Sequence, residues 1–220
     1  AGAGPERLAN VERAVAIAAG ILDSGGSAIE AAVEACVVLE DDPVFNAGTG
    51  SVFRTDGSVH LDASIQTSEG KMGFVIGMQD TPNPIRVAAD LLDEEINGLS
   101  GDGARLWADS KGFERSNVQG RPPFEGATDT VGVVARDKSG LIVCATSTGG
   151  TSNRPPGRVG DVPLPGCGFW VQDGVGVGAT GIGEAITRGM ISLRVADRIL
   201  DGNGLEESMM WALDECLEED

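Results

Sequence analysis

Two helical patterns open this chain, strand patterns fill its middle, and helical patterns return at its end, so strands and helices do not alternate one for one. A doubly wound parallel sheet needs that alternation, and layered antiparallel sheets with helices outside satisfy the observed order more simply. Apolar residues recur at helical spacing over 8–22, Ser24-Gly25-Gly26 stops them, and Ser27 starts a second helix running to about 40. An irregular turn over 42–50 leads to a hairpin of 51–54 with 58–65 around Asp56-Gly57, and 72–78 adds a strand. Asn83-Pro84 reads as an N-cap with proline at the first helical position, launching a helix over 85–96, with a shorter one over 103–111. The stretch 112–129, with Gly120-Arg121-Pro122-Pro123, has no apolar period and reads as a linker or a strained loop. Order returns at Thr130. Strands over 131–135 and 141–145 flank the turn Asp137-Lys138-Ser139-Gly140 and read as antiparallel and largely buried. A second hairpin pairs 168–172 with 175–179, and helices follow over 184–200 and 205–217.

At 220 residues and 41% hydrophobic content, residues 1–220 are expected to form one domain. The balance of 34 acidic against 16 basic residues, a net charge of −18, argues against nucleic acid as a partner. With Lys71, Lys111 and Lys138 the only lysines, it also suits a salt-rich cytoplasm whose ions screen self-repulsion. No run of eighteen apolar residues exists, and Glu6, Arg7, Glu12 and Arg13 interrupt the first twenty, so neither a membrane span nor a secretion signal is expected and the location is read as cytoplasmic. Cys36, Cys144, Cys167 and Cys216 form no C-x-x-C pair and read as buried free thiols rather than zinc ligands or a disulfide scaffold. His60 is the only histidine and there is no tyrosine. A Ser-His or Cys-His catalyst would have to use His60, which sits in a strand-like stretch.

Four motifs follow the linker: Asp129-Thr130-Val131-Gly132, Thr146-Ser147-Thr148-Gly149-Gly150, Pro156-Gly157-Arg158-Val159-Gly160-Asp161, and Ala179-Thr180-Gly181-Ile182-Gly183-Glu184. Upstream stand Phe45-Asn46-Ala47-Gly48-Thr49-Gly50-Ser51, Asp62-Ala63-Ser64-Ile65 and Asn83-Pro84-Ile85-Arg86. In this order and spacing the set resembles the N-terminal-nucleophile family of isoaspartyl peptidases, plant-type L-asparaginases and glycosylasparaginases, over nearly the whole chain apart from the linker. The resemblance implies an α+β fold, a four-layer αββα sandwich of two mainly antiparallel sheets flanked by helices. It implies an amidohydrolase whose nucleophile is Thr130, freed by self-cleavage between Asp129 and Thr130 into an α chain, 1–129, and a β chain, 130–220.

The chemistry agrees with that resemblance. A threonine hydroxyl needs a base within hydrogen-bond reach, and an N-terminal threonine carries its own amine, with a reference pKa near ~8. By resemblance, Thr148 sits beside the nucleophile and tunes it. Thr180 and Gly181 match the oxyanion hole, a hydroxyl and a backbone N–H aimed at the developing charge. Arg158 and Asp161, with Gly183, match the substrate site, the arginine forking onto an α-carboxylate and the aspartate taking the α-ammonium. Asn46 matches a support of the nucleophile. Residues 39–49 match a loop whose backbone carbonyls, at Leu39, Glu40, Asp42, Phe45, Ala47 and Thr49, hold a structural sodium ion, carbonyl oxygens suiting a hard cation. The chemistry itself needs no cofactor. The expected substrate is a β-aspartyl dipeptide or L-asparagine, attacked at its side-chain carbonyl to give a β-aspartyl ester, and two αβ units are expected to pair.

Some positions depart from the pattern. Asp129 precedes the nucleophile as in glycosylasparaginases, but Thr128 replaces their histidine, and Thr148-Gly149-Gly150 follows the asparaginase form. Ile182 stands where asparaginases commonly carry threonine, and the family's first strand has no counterpart ahead of Ala1-Gly2-Ala3-Gly4-Pro5: it is either trimmed from this sequence or missing, and only if missing is a sheet edge expected to be exposed. Glycosylasparaginase activity is one alternative. An uncleaved, inactive amino-acid-binding homologue is another.

Overall fold

The apolar spacing of the first forty residues folds as two packed helices, α1 (Pro5–Asp23) and α2 (Ala28–Glu40), in a computed structural model that describes residues 5–122 and 130–217. Ser27 caps α2, its side chain accepting from the Glu30 N–H. Strands β1 (Leu61–Thr67), β2 (Met72–Met78) and β3 (Gly98–Ser100) come next, interrupted by α3 (Pro84–Asp90) and followed by α4 (Gly101–Ser110). Beyond the linker lie β4 (Val131–Arg136), β5 (Ile142–Thr148), β6 (Phe169–Gln172) and β7 (Val175–Gly178), then α5 (Gly183–Gly189), α6 (Ile191–Leu200) and α7 (Leu205–Leu217).

Five strands form one sheet in the order β3-β2-β1-β5-β4, antiparallel except for the parallel β2–β3 pair, and β6 and β7 form a second. Helices α1 to α4 cover the outer face of the first sheet, the β6–β7 hairpin packs on its inner face, and α5 to α7 close the other side. The result is the expected αββα sandwich. Alternation within the strands sorts their two faces. Ala63, Ile65, Val143 and Ala145 enter the helix-side core, whereas Ile142 and Cys144 meet Phe169 and Val171 between the sheets. The Phe169 ring is fully buried, a contribution of about 1.5–3 kcal/mol.

The inter-sheet face also carries an unusual share of polar side chains. Ser64 Oγ and Thr146 Oγ1 lie 2.6 Å apart, Ser64 donates to the Val162 carbonyl at 2.7 Å, and Gln66 exchanges two hydrogen bonds with the Val171 backbone. Each polar group buried there is expensive unless paired, so these bonds fix how the second sheet sits on the first.

Several expectations need correction. Residues 51–54 and 58–65 form no hairpin: Val52 bridges Arg121, and β1 pairs instead with β2 and β5, leaving His60 just ahead of the strand. Strand β4 is half-exposed rather than largely buried, because it is the sheet's edge. Helix α3 stops at Asp90, where a 3₁₀ turn and then β3 take the chain, the Phe74 N–H being received by the Asn97 carbonyl. Asn83 does not cap α3. Its side chain donates to Asp41, and the Glu40 carboxylate takes the Ile85 N–H. The helix expected over 184–200 is broken at Met190, whose left-handed backbone separates α5 from α6. The early N–H groups of α6, at Ser192 and Leu193, turn to the carbonyls of Cys167 and Gly166. Residues 112–122 carry no helix or strand, and the rest of the expected linker, with Thr128 and Asp129, falls outside the described residues. Among the described residues no helix is long and apolar enough to cross a membrane.

Candidate active site

Sheet register builds the site. Strand β4 pairs with β5 through Val131↔Ser147 and Gly132↔Thr146, which sets Thr130 beside Thr148, while β1 sets Asp62 opposite Thr148 on its other side. Asp62, Thr148 and Thr130 therefore stand in a row on the inter-sheet face at one end of the sheet.

Thr130 Oγ1 donates to Thr148 Oγ1 at 3.0 Å. The Thr148 oxygen also accepts from the Gly150 N–H at 3.0 Å, and its own proton points to the Asn46 carbonyl at 3.4 Å. A hydroxyl has one donor and two acceptor positions, so all of Thr148 is committed and the Thr130 rotor is held. Asn46 is buried and ties the neighbourhood together: its carbonyl accepts the Gly149 N–H at 2.9 Å, and its amide group bonds the Gly150 carbonyl and the Val52 N–H.

A small cleft is lined by Thr130, Thr148, Arg158, Asp161, Thr180 and Gly181 among others. Only Gly183 of the expected substrate and catalytic residues does not line it, and Gly183 lies directly behind: a Cβ there would stand 2.7 Å from both Arg158 Nη2 and Asp161 Oδ1. Glycine is what lets the arginine and the aspartate approach one another. His60 is elsewhere, with Nε2 2.9 Å from Gln79 and Nδ1 accepting weakly from the Gly157 N–H.

The two charged residues are not arranged as a surface ion pair. Arg158, whose side chain is 10% exposed, forks through Nε and Nη2 onto both oxygens of Glu184 at 3.1 and 3.0 Å, and that contact holds the Glu184 carboxyl below its ordinary range. Asp161 is buried and its Oδ2 has no partner. Burial pushes the Asp161 carboxyl up to about 6 despite the nearby Arg158. Asp62 behaves alike: burial raises it to about 6, Oδ1 accepts the Gly77 N–H at 2.7 Å, and Oδ2 is unpartnered. A cationic ammonium entering the cleft would relieve the desolvation of Asp161.

Sequence reasoning missed Glu184 as the holder of Arg158, although it is the last residue of the motif that contains Thr180 and Gly181. It also missed Arg54, a buried guanidinium beneath Gly150. Nothing in the sequence marks it, since an arginine ahead of Asp56-Gly57 reads as turn surface.

In the loop expected to hold sodium, Leu39 and Glu40 are still the last residues of α2, and the turn proper begins after them. The Asp42 and Ala47 carbonyls already accept the Phe45 and Gly50 N–H groups. The Glu40 carbonyl is turned inward, 2.5 Å from where a Cβ on Gly48 would stand. The donor set is therefore backbone oxygen alone; among the described residues no cluster of three or more His, Cys, Asp and Glu side chains could hold a metal.

Comparison with known proteins agrees with this geometry. A family model described as Asparaginase matches residues 4–121 and 117–220. The chain is 40% identical to a plant-type L-asparaginase of Pyrobaculum calidifontis, over 78% of this chain and 66% of that protein. It is 36% identical to an isoaspartyl peptidase/L-asparaginase of Bos taurus, over 89% and 71% of the two, and 33% identical to one of Synechocystis, over 90% and 68%. It thus spans roughly two thirds of these curated relatives' length. With the sandwich, the register and the matched motifs in agreement, the chain belongs to the asparaginase family of hydrolases.

Proposed function

We propose that this protein hydrolyses β-aspartyl amide bonds, in isoaspartyl peptides and in L-asparagine, with Thr130 as an N-terminal nucleophile released by cleavage of the Asp129–Thr130 bond. The observation that carries the reading is the 3.0 Å hydrogen bond from Thr130 Oγ1 to Thr148 Oγ1 in a cleft that also holds Arg158 and Asp161. The names of the relatives at 33–40% identity support the same chemistry.

In this reading the free Thr130 amine takes the hydroxyl proton as Oγ1 attacks the substrate's side-chain carbonyl carbon. The oxygen of that carbonyl becomes an oxyanion received by the Thr180 hydroxyl and the Gly181 N–H. As the C–N bond breaks, the ammonium returns its proton to the leaving nitrogen, so that ammonia or an amino compound departs and a β-aspartyl ester remains on Thr130. Water, deprotonated by the same amine, opens the ester and frees L-aspartate. Asp161 holds the substrate ammonium, and Thr148 keeps the nucleophile in line. Mass spectrometry of purified protein is expected to show a fragment beginning at Thr130. Rates on β-aspartyl dipeptide and asparagine are expected to exceed that on glycosylated asparagine. An intact 22.6 kDa chain after long incubation, with no turnover, would favour the amino-acid-binding alternative instead.

The same reading includes pairing of two cut units and a cytoplasmic location, supported by the buried free thiols of Cys36, Cys144 and Cys167. It also places a structural sodium ion at the turn after α2, its ligands backbone carbonyls including that of Glu40 and its effect confined to rigidity beneath Asn46. The unfolding midpoint is expected to be higher in sodium chloride than in potassium chloride at equal ionic strength, by about 2–4 °C for each kcal/mol of selective binding. Equal midpoints would remove the site.

A further inference from the structure

Two glycines leave a gap between the sheets beside the nucleophile. Gly132 on β4 and Gly178 at the end of β7 occupy positions where side chains of the two facing sheets would normally interlock. A Cβ on the first would lie 3.5 Å, and on the second 3.7 Å, from one and the same atom, the Thr146 methyl carbon. Neither would clash. Farther along the same strands the gap is shut, for a Cβ on Gly176 would stand 2.9 Å from Ile142 Cγ2 and 3.1 Å from Val134 Cγ1. What remains open is a cavity of about 260 Å³ between β4, β5 and the end of β7. An apolar cavity of about 150 Å³ already holds a benzene ring.

The wall is hydrocarbon and sulfur. The Cys144 thiol donates to the Val177 carbonyl at 3.4 Å, and the Thr146 hydroxyl is engaged with Ser64 at 2.6 Å, which leaves the threonine methyl facing the two glycines. Val134 and Ala179 extend this surface, and none of the described residues that line the cavity is charged. A charged group buried there would find no partner.

Thr130 and Thr180 line this cavity and also the cleft that holds Arg158 and Asp161. The nucleophile and the oxyanion hydroxyl thus stand at a boundary, with charged groups on one side and an apolar space on the other. A β-aspartyl compound anchored by its α-groups at Arg158 and Asp161 brings its side-chain carbonyl to that boundary. The amide nitrogen, with whatever it carries, comes next along the molecule, and the cavity adjoins it.

We propose that this cavity is a leaving-group subsite, which receives the apolar side chain of the residue released from a β-aspartyl dipeptide. The assignment rests on the function proposed above and narrows its substrate class to isoaspartyl peptides whose leaving residue is apolar.

The test is kcat/KM on L-asparagine, β-aspartyl-glycine, β-aspartyl-leucine and β-aspartyl-lysine. Wild-type protein is expected to favour the leucine over the glycine dipeptide by about 10- to 100-fold, the scale of a side chain entering an apolar pocket. Gly178→Leu fills the cavity and should bring that ratio close to one. Gly178→Ala, whose added carbon would sit at an ordinary 3.4 Å from Cys144 Sγ, should lower it partway. Val134→Asp, at a half-exposed position, makes one wall acidic and should shift preference from leucine towards lysine by about 10-fold. General damage slows all four substrates together and leaves the ratios alone. An unchanged leucine-to-glycine ratio in Gly178→Leu overturns the subsite. If that variant does not fold, unchanged ratios in Gly178→Ala and Val134→Asp overturn it equally. Wild-type protein that hydrolyses asparagine but treats the three dipeptides alike removes the subsite and leaves the proposed reaction standing, whereas protein that hydrolyses none of the four removes both.

Discussion

Thr130→Ala will remain a single 22.6 kDa chain and lose turnover, by on the order of 10⁴-fold or more, the scale seen when a covalent nucleophile is deleted. Two events depend on the one hydroxyl. In self-cleavage it attacks the preceding carbonyl, and in catalysis it attacks the substrate, so its loss abolishes both. The fold should be undisturbed, because Thr130 precedes β4 and its recorded side-chain hydrogen bond is the one to Thr148. Thr130→Ser keeps the hydroxyl and is expected to cleave and turn over more slowly, having lost only the methyl group that restricts the rotor. Intact-mass analysis and ammonia release from asparagine check both variants. An alanine variant that still splits before residue 130 would end the self-cleavage reading, and one that stays whole yet hydrolyses asparagine would end the role of Thr130.

Much of this site could be read before any coordinates, because its parts are local. The turn from Asp137 to Gly140 carries its own chemistry, the Asp137 carboxylate taking the Ser139 and Leu141 N–H groups, and that turn fixes the hairpin placing Thr130 beside Thr148. The motifs at Arg158 and Thr180 are equally compact, and they meet across the cleft as their order implied. What was not legible is what only the tertiary fold decides. Periodicity carried one helix through Met190, but the carbonyls of Gly166 and Cys167 compete for the N–H groups of α6 and break it. Asn83 has the composition of a cap, yet Glu40, distant in sequence, supplies the acceptor for Ile85. Arg54 gave no signal at all, since burial of a guanidinium is set by Gly150 and its neighbours rather than by its own surroundings in the chain.

Glu40 leads to the second large effect. This carboxyl is fully buried at the end of α2, with Oε1 accepting the Ile85 N–H at 3.2 Å and Oε2 unpartnered. Burial pushes it up to about 8 from an ordinary 4.5, against the opposing pull of the hydrogen bond from the Ile85 N–H. Between those two values the folded protein keeps a proton that the unfolded chain has released. Stability contributed through Glu40 must therefore fall as pH rises through this window and be fully lost above pH 8, where folding buries a bare carboxylate. Glu40→Gln keeps an acceptor for Ile85 and has no proton to lose. Measured in the uncut Thr130→Ala background, where unfolding involves one chain, the stability of the glutamate protein should drop by on the order of 3 kcal/mol relative to Glu40→Gln between pH 5 and pH 8.5. The raised carboxyls of Asp62 and Asp161 bend both curves in the same direction and cancel in the difference. Parallel curves would mean that the folded protein carries Glu40 charged at neutral pH. A widening gap would make the last residue of α2 the point where acid strengthens the frame beneath Asn46 and Thr148.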